Sequence, residues 1–199
     1  MHELLADARF YELLQRIDWD MALEVRTRRC PCGGPLHAAH YPRRPRGGPS
    51  ALPEGYDRRF SFSCGLDGCR ARSTPPSVRY LGRRWYLAAV VVLVSAFRHG
   101  VTSRRLEQLV GWLRGRGERL ARRTVERWRR WWLETFPATR TWQAGRSQFV
   151  PPVNQALLPL SLLERFEGAD AARLSAALRF LSPVTTGSCA SSLTGPERR

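Results

Sequence analysis

The sequence predicts a mainly α-helical protein that carries one small β zinc ribbon, a three-helix helix-turn-helix unit and flanking helices. Three observations predict it. Apolar residues recur at helical spacing on both sides of a stretch rich in Gly, Pro and Arg. That stretch holds four of the five cysteines, in two close pairs. Arginine density peaks just downstream, where residues 80–138 carry 13 Arg against 4 acidic residues. The expected organisation is an N-terminal helical segment (1–29), a zinc-ribbon module (30–79), a helix-turn-helix DNA-binding domain (80–138), a C-terminal helical segment (139–184) and a disordered tail (185–199).

The first segment shows Phe10, Leu13, Leu14 and Ile17 at i, i+3, i+4 and i+7, helped by Leu5. That is one apolar stripe of a helix, facing either the chain's own core or a second protein. Asp18, Trp19 and Asp20 are expected to break the pattern before the first cysteines.

Residues 30–79 have few aliphatic side chains and cannot bury much core unaided, so they need a staple. Cys30-Pro-Cys32-Gly-Gly and Cys64-Gly-Leu-Asp-Gly-Cys69 supply one. Four thiolates suit a closed tetrahedral Zn2+ site, and glycines beside them let backbone amides point at sulfur. Cys30, Cys32, Cys64 and Cys69 are therefore the predicted ligands of a structural zinc ion. The spacings, C-x-C and C-x4-C, both depart from the usual C-x2-C, and His37 or His40 would be the substitute if one cysteine were not a ligand. Disulfides are disfavoured because nothing marks the chain as exported. Residues 35–41 and 58–63 read as short strands, and 42–56 as a flexible, basic loop. Cys189, alone in a polar tail, reads as a free thiol.

Residues 85–97 form the longest apolar run. It falls short of the roughly 20 residues a membrane span needs, so it reads as a buried helix with Tyr86, Ala89, Val90, Leu93 and Phe97 facing two others. A strand is the alternative for its Val-rich centre. Leu106, Leu109, Val110 and Leu113 give a second helix, capped by Thr102 or Ser103 and ended near Gly115 and Gly117. Residues 122–135 give the recognition helix. Ala121, Val125, Trp128 and Trp132 share one face, while Arg123, Glu126, Arg127 and Arg130 lie opposite, with Arg122 and Arg129 on the flank. The intervening turn, 114–120, is longer than the usual one.

All 33 basic residues are Arg, against 17 acidic, for a net charge of +16. Guanidinium forks grip phosphate bidentately and stack on bases, so the balance suits nucleic acid. Arg123, Arg127 and Arg130 are the candidates for guanine or phosphate contact, Glu126 for accepting from cytosine, and Arg122 and Arg129 for phosphate. Arg104 and Arg105, before the turn, complete the candidate nucleic-acid set. Double-stranded DNA is the expected partner. RNA, a transposase or a second copy of the chain are the alternatives, and an adaptor that only docks on protein is the rival class.

Residues 139–152 look irregular, anchored by Trp142 and Phe149. Residues 157–166 and 169–181 read as helices, the second with a thin stripe from Arg173, Leu174, Ala177 and Leu181. From Thr185 the composition turns to Ser, Thr, Gly and charge, which predicts disorder. There is no Gly-rich phosphate loop, nucleophile elbow or H-E-x-x-H. His2, His37, His40 and His99 form no acid–base constellation, and the acidic residues are scattered, so no enzyme activity is expected. With no secretory signal and no membrane span, the expected location is the bacterial cytoplasm, on the nucleoid.

The stretches CPCGGPLHAAHYPRRPRG, RRFSFSCGLDGCRARSTPPSVRYLGRRWYL and RRTVERWRRWWLETFP together resemble bacterial proteins related to insertion-sequence transposases. Those pair a zinc ribbon with a helix-turn-helix, ahead of a catalytic domain or as accessory proteins. The resemblance spans about residues 30–137 and implies binding to element ends or related DNA. The chain departs from full-length transposases in having no recognisable catalytic domain, which leaves DNA recognition as the implied role.

Overall fold

The computed structural model describes residues 2–43, 45, 47–49, 51–81, 86–96 and 122–186. It is mainly helical with a small antiparallel sheet. A 3-10 turn at His2–Leu5 leads into α1, Ala8–Thr27. Asp7 caps α1 by accepting from the Arg9 amide at 2.9 Å. Of the expected stripe, Phe10, Leu14 and Ile17 are buried and Leu13 is half-buried, and Tyr11, which the stripe did not include, is buried beside them.

The expected break at Asp18, Trp19 and Asp20 does not occur. The helix runs on for its full 20 residues, and Asp18 is itself buried. The reason is a partner far along the chain. Asp18 Oδ1 accepts from the Val78 amide at 2.6 Å, and Oδ2 accepts from Ser77 Oγ at 2.6 Å and Arg79 Nε at 2.7 Å. A carboxylate satisfied this completely belongs to the buried stripe rather than interrupting it.

The sheet follows. β1 (Leu36–Ala38), β4 (Phe62–Cys64) and β5 (Arg72–Ser73) form three antiparallel strands in the order β1-β4-β5. β2 (Tyr41–Pro42) and β3 (Arg58–Arg59) form a second pair. Leu36 faces Cys64 and Ala38 faces Phe62 in register. Between the two pairings, His40 Nδ1 sits 3.0 Å from the Ser61 carbonyl and 3.2 Å from its amide. The Ala39 amide also donates to the Ser61 carbonyl at 2.9 Å, so side chain and backbone together bridge the two pairings. The described residues between β2 and β3 form no helix or strand, and Tyr56, near the start of β3, is fully packed.

The apolar run becomes α2, Ala88–Ala96, and all nine of its residues are buried. A helix apolar on every side is one surrounded by protein, and α2 packs against the helices Asp170–Leu181 and Arg122–Arg130 and the N-terminal turn. The remaining elements are α3 (Arg122–Arg130), a π-helical turn (Trp131–Thr135), a 3-10 turn (Phe136–Ala138), α4 (Arg140–Gly145), α5 (Leu160–Leu163) and α6 (Asp170–Leu181). The recognition helix expected over 122–135 is therefore α-helical only to Arg130. The Phe136 amide then bonds the Trp131 carbonyl, an i→i+5 step that lets Trp132 and Phe136 both reach the core.

Residues 139–152 are more regular than expected. Thr139 Oγ1 caps α4 by accepting from the Trp142 amide at 3.2 Å, and Trp142 and Phe149 are anchored as predicted. The helix expected over 157–166 shrinks to α5, and at its start Leu158 is extended (ψ 141°), as a residue before a proline prefers. The stripe of α6 is broader than Arg173 suggested, with Leu174, Ala177, Leu178 and Leu181 all buried. One apolar cluster runs from Leu5 to Leu181, and a smaller one, around Phe60, Phe62 and Leu36, underlies the sheet.

The tail prediction fails at its first residue. Thr185 ends a 3-10 turn, Ser182–Thr185, and its Oγ1 accepts from the Ser77 amide at 2.9 Å. The proposed helix with Arg104, Arg105 and Leu106, its turn, and Cys189 lie outside the described residues. Among the described residues, no helix is long and apolar enough to cross a membrane.

Candidate metal centre and basic helix face

Two tight turns bring the four predicted cysteines together. The first follows α1 directly. Arg29 takes φ 60°, the left-handed conformation that ends helices, and reverses the chain into Cys30. The Gly33 amide then bonds the Cys30 carbonyl at 2.8 Å, and the Cys30 amide bonds the Gly34 carbonyl at 3.1 Å. The second turn leaves β4. The Cys69 amide bonds the Leu66 carbonyl at 3.1 Å, and Gly68, at φ 83°, carries the chain round. The strand pairing of Leu36 with Cys64 holds the turns face to face.

Their sulfurs form one group, all within 4.8 Å of one another. Cys30 Sγ lies 3.7 Å from Cys69 Sγ, and Cys32 Sγ lies 3.4 Å from Cys64 Sγ. These are not disulfide distances, and all four residues are free thiols. A tetrahedral ion with metal–sulfur bonds of about 2.3 Å would set sulfurs about 3.8 Å apart, so the group is close to the required size. The common spacing C-x2-C is not needed, since each near pair takes one sulfur from each turn.

The surroundings divide the thiols, lowering Cys32 and raising Cys30 and Cys64. The Leu66 amide donates to Cys64 Sγ at 3.4 Å. The Gly34 amide donates to Cys32, and together with the neighbouring sulfurs of Cys69, Cys30 and Cys64 it brings that thiol down to about 7. At Cys64 the Leu66 amide also pulls down, but burial and the three other sulfurs outweigh it and push the thiol up to about 12. Without a cation the cluster therefore loses one proton readily and keeps others. A dication would take their place. Gly34 is also required for space, because a Cβ there would sit 2.6 Å from Cys64 Sγ and 2.9 Å from Leu66 Cβ.

Neither histidine belongs to the group. His40 is held by Ser61, with its ring against Phe60 and Phe62 at 5.1 and 5.7 Å. His37, exposed on β1, lies over Gly65.

The second predicted site is α3. Val125, Trp128 and Trp132 are buried, and Trp128 meets Tyr86 edge-to-face at 4.9 Å. Arg123, Glu126, Arg127, Arg129 and Arg130 are exposed. The apolar and charged faces divide as the 100° period requires. Arg122 opens the helix. Arg104 and Arg105 lie outside the described residues.

Sequence reasoning missed the joint between ribbon and helices. Arg79, fully buried, donates to Asp18, to the Tyr56 carbonyl at 3.0 Å and to the Arg58 carbonyl at 2.8 Å. Its guanidinium also stacks on Phe60, 4.7 Å from the ring centre, and on Tyr56 at 5.1 Å. Arg59, also buried, bonds the Pro75 carbonyl and Thr185 Oγ1. The signal was present: Asp18 falls four residues after Leu14, on the apolar stripe, where a lone charge demands a partner.

Comparison with known proteins gives no match, whether among family models, curated proteins or solved structures.

Proposed function

We propose that this chain is a zinc-stapled, double-stranded-DNA-binding protein. Zn2+ on Cys30, Cys32, Cys64 and Cys69 holds the ribbon closed in a purely structural role, since four thiolates leave no open position for chemistry. The third helix of a helix-turn-helix unit, α3, enters the major groove. The observation that carries this reading is the division of α3, which docks by Val125, Trp128 and Trp132 and presents exposed Arg123, Arg127 and Arg130 on its outer side. Guanidiniums on a rigid helix suit bidentate contact to guanine edges, Glu126 suits a cytosine amino group, and Arg122 and Arg129 suit phosphate. Arg104 and Arg105 join the nucleic-acid set on sequence grounds alone.

The zinc choice follows from donor chemistry, as four soft sulfurs within 4.8 Å of one another favour zinc over hard cations. The resemblance to insertion-sequence proteins supports element ends, or a regulatory site near them, as the target class. Selection of bound duplexes from a random pool by zinc-loaded protein, at near-physiological salt, tests the reading. A defined motif is the expected result. Binding without a motif that collapses as salt rises would overturn base reading and leave only a polyanion grip.

A further inference from the structure

The groove between α1 and the ribbon has no part in the duplex reading, yet it is built like a ligand site. It is an open groove of about 830 Å3. Residues one and two turns apart on α1 form one wall, and the ribbon's Arg58, Phe60 and His40 form the other. The floor is aromatic. Trp19 meets Phe60 edge-to-face at 5.5 Å, and His40 meets Phe60 at 5.1 Å. Arg79 stacks on Phe60 from within, 4.7 Å from the ring centre. Trp19 is the anomaly, because more than half of its surface, 55%, is exposed in a chain whose other described tryptophans are buried or half-buried.

The rim is electrically balanced. Arg16 and Arg58 bring donors, and Glu12 and Asp20 bring acceptors. In a chain of net charge +16 this balance argues against a phosphate trap, and the two arginines argue against a cation cage. A flat neutral group with both donors and acceptors on its edges satisfies floor and rim together.

We propose that this groove binds an unstacked nucleobase, stacked on Trp19 and hydrogen-bonded at its edge by the Arg and carboxylate rim. The base is held by chemistry that a free nucleoside and a base carried on a single strand share. The inference stands on other residues than the duplex reading, and either can fail alone.

The test uses the full zinc-loaded chain and labelled twelve-nucleotide single strands of DNA and RNA, an abasic strand of the same length, a duplex, and free adenosine and cytidine. Trp19→Ala is expected to weaken single-strand binding about tenfold or more and leave duplex affinity unchanged, because stacking on one aromatic carries that much. Trp19→Phe is expected to recover most of the loss. The abasic strand should bind as weakly to the native chain as the intact strand does to Trp19→Ala. Competition by free nucleosides would assign the site to the free base, and its absence to the strand-borne one. Equal binding of abasic and intact strands, or a Trp19→Ala loss equal for duplex and single strand, overturns the proposal. Arg127→Ala separates the two readings, since it should weaken the duplex alone.

Discussion

Asp18 Oδ2 and Arg79 Nε lie 2.7 Å apart, and neither side chain is exposed to water at all. The pair joins α1 to the segment between ribbon and α2, and the remaining hydrogen bonds of both groups are satisfied inside the protein. Removing one partner strands the other charge. Asp18→Ala is expected to lower folding stability by about 3–5 kcal/mol, measured by denaturant titration. Replacing both, Asp18→Leu with Arg79→Met, should recover much of that loss. A double variant as unstable as the sum of the singles would show that the backbone bonds to Val78, Tyr56 and Arg58 matter more than the charge pair.

Gly34 marks the tightest point of the cysteine cluster. Gly34→Ala pushes a methyl into Cys64 Sγ and Leu66, so metal affinity should fall at least about tenfold, the scale typical of changes beside a metal's ligands. Competition against a chromophoric chelator reads this directly. Gly33→Ala, by contrast, meets no atom within 4 Å but sits at φ 84°, so its effect should be on the turn's stability rather than on the sulfurs.

Metal uptake should release protons, in a number that depends on pH. Cys32 is lowered to about 7, so its proton is present at acid pH and gone in mild alkali, whereas Cys64, raised to about 12, keeps its proton across the range. Calorimetry in buffers of different ionisation enthalpy should find about one proton fewer released per ion at about pH 8 than at about pH 6, with affinity falling as pH falls. An unchanged proton count would contradict the role given to the Gly34 amide.

Stripping the metal should loosen the ribbon first. Its own core is small, and Cys30 and Cys64 are part of it. A chelator is expected to lower the melting temperature and to raise amide exchange over residues 30–73, while α2 and α6 stay protected. Cobalt in place of zinc should give the visible absorption of a tetrahedral thiolate site at one ion per chain.

On α3, Arg127→Ala should cost about 1–3 kcal/mol of affinity for the preferred duplex and relax specificity at one base pair. Arg129→Ala should weaken all duplexes alike and reduce the salt dependence. Trp132→Ala is a stability change instead, expected to cost about 3–5 kcal/mol because the side chain is fully buried.

The parts legible in the sequence were those governed by local period and spacing. The Phe10 to Ile17 stripe, the all-apolar α2, the two faces of α3 and the four-cysteine set are each encoded within a short window. What was not legible depends on partners distant in sequence. Asp18 reads as a helix breaker until Arg79 is seen beside it, 61 residues on. Thr185 reads as tail until Ser77 and Arg59 claim its hydroxyl. His40 reads as a spare metal ligand until Ser61 is placed against it. The widening of the helix after Arg130 is also a tertiary effect, set by the packing of Trp132 and Phe136.

The bond from Ser77 to Thr185 spans 108 residues. Its consequence is temporal. During synthesis the ribbon and α1 emerge early, but the latch on the segment joining them to α2 cannot close until Thr185 has been made. At roughly 5–20 residues per second, that delay is on the order of ten seconds. Arg59 must wait as long for Thr185, one of its two partners. The nascent chain exposes its ribbon–helix seam to other molecules in that interval, and zinc captured early would shorten the search by fixing one side of the seam in advance.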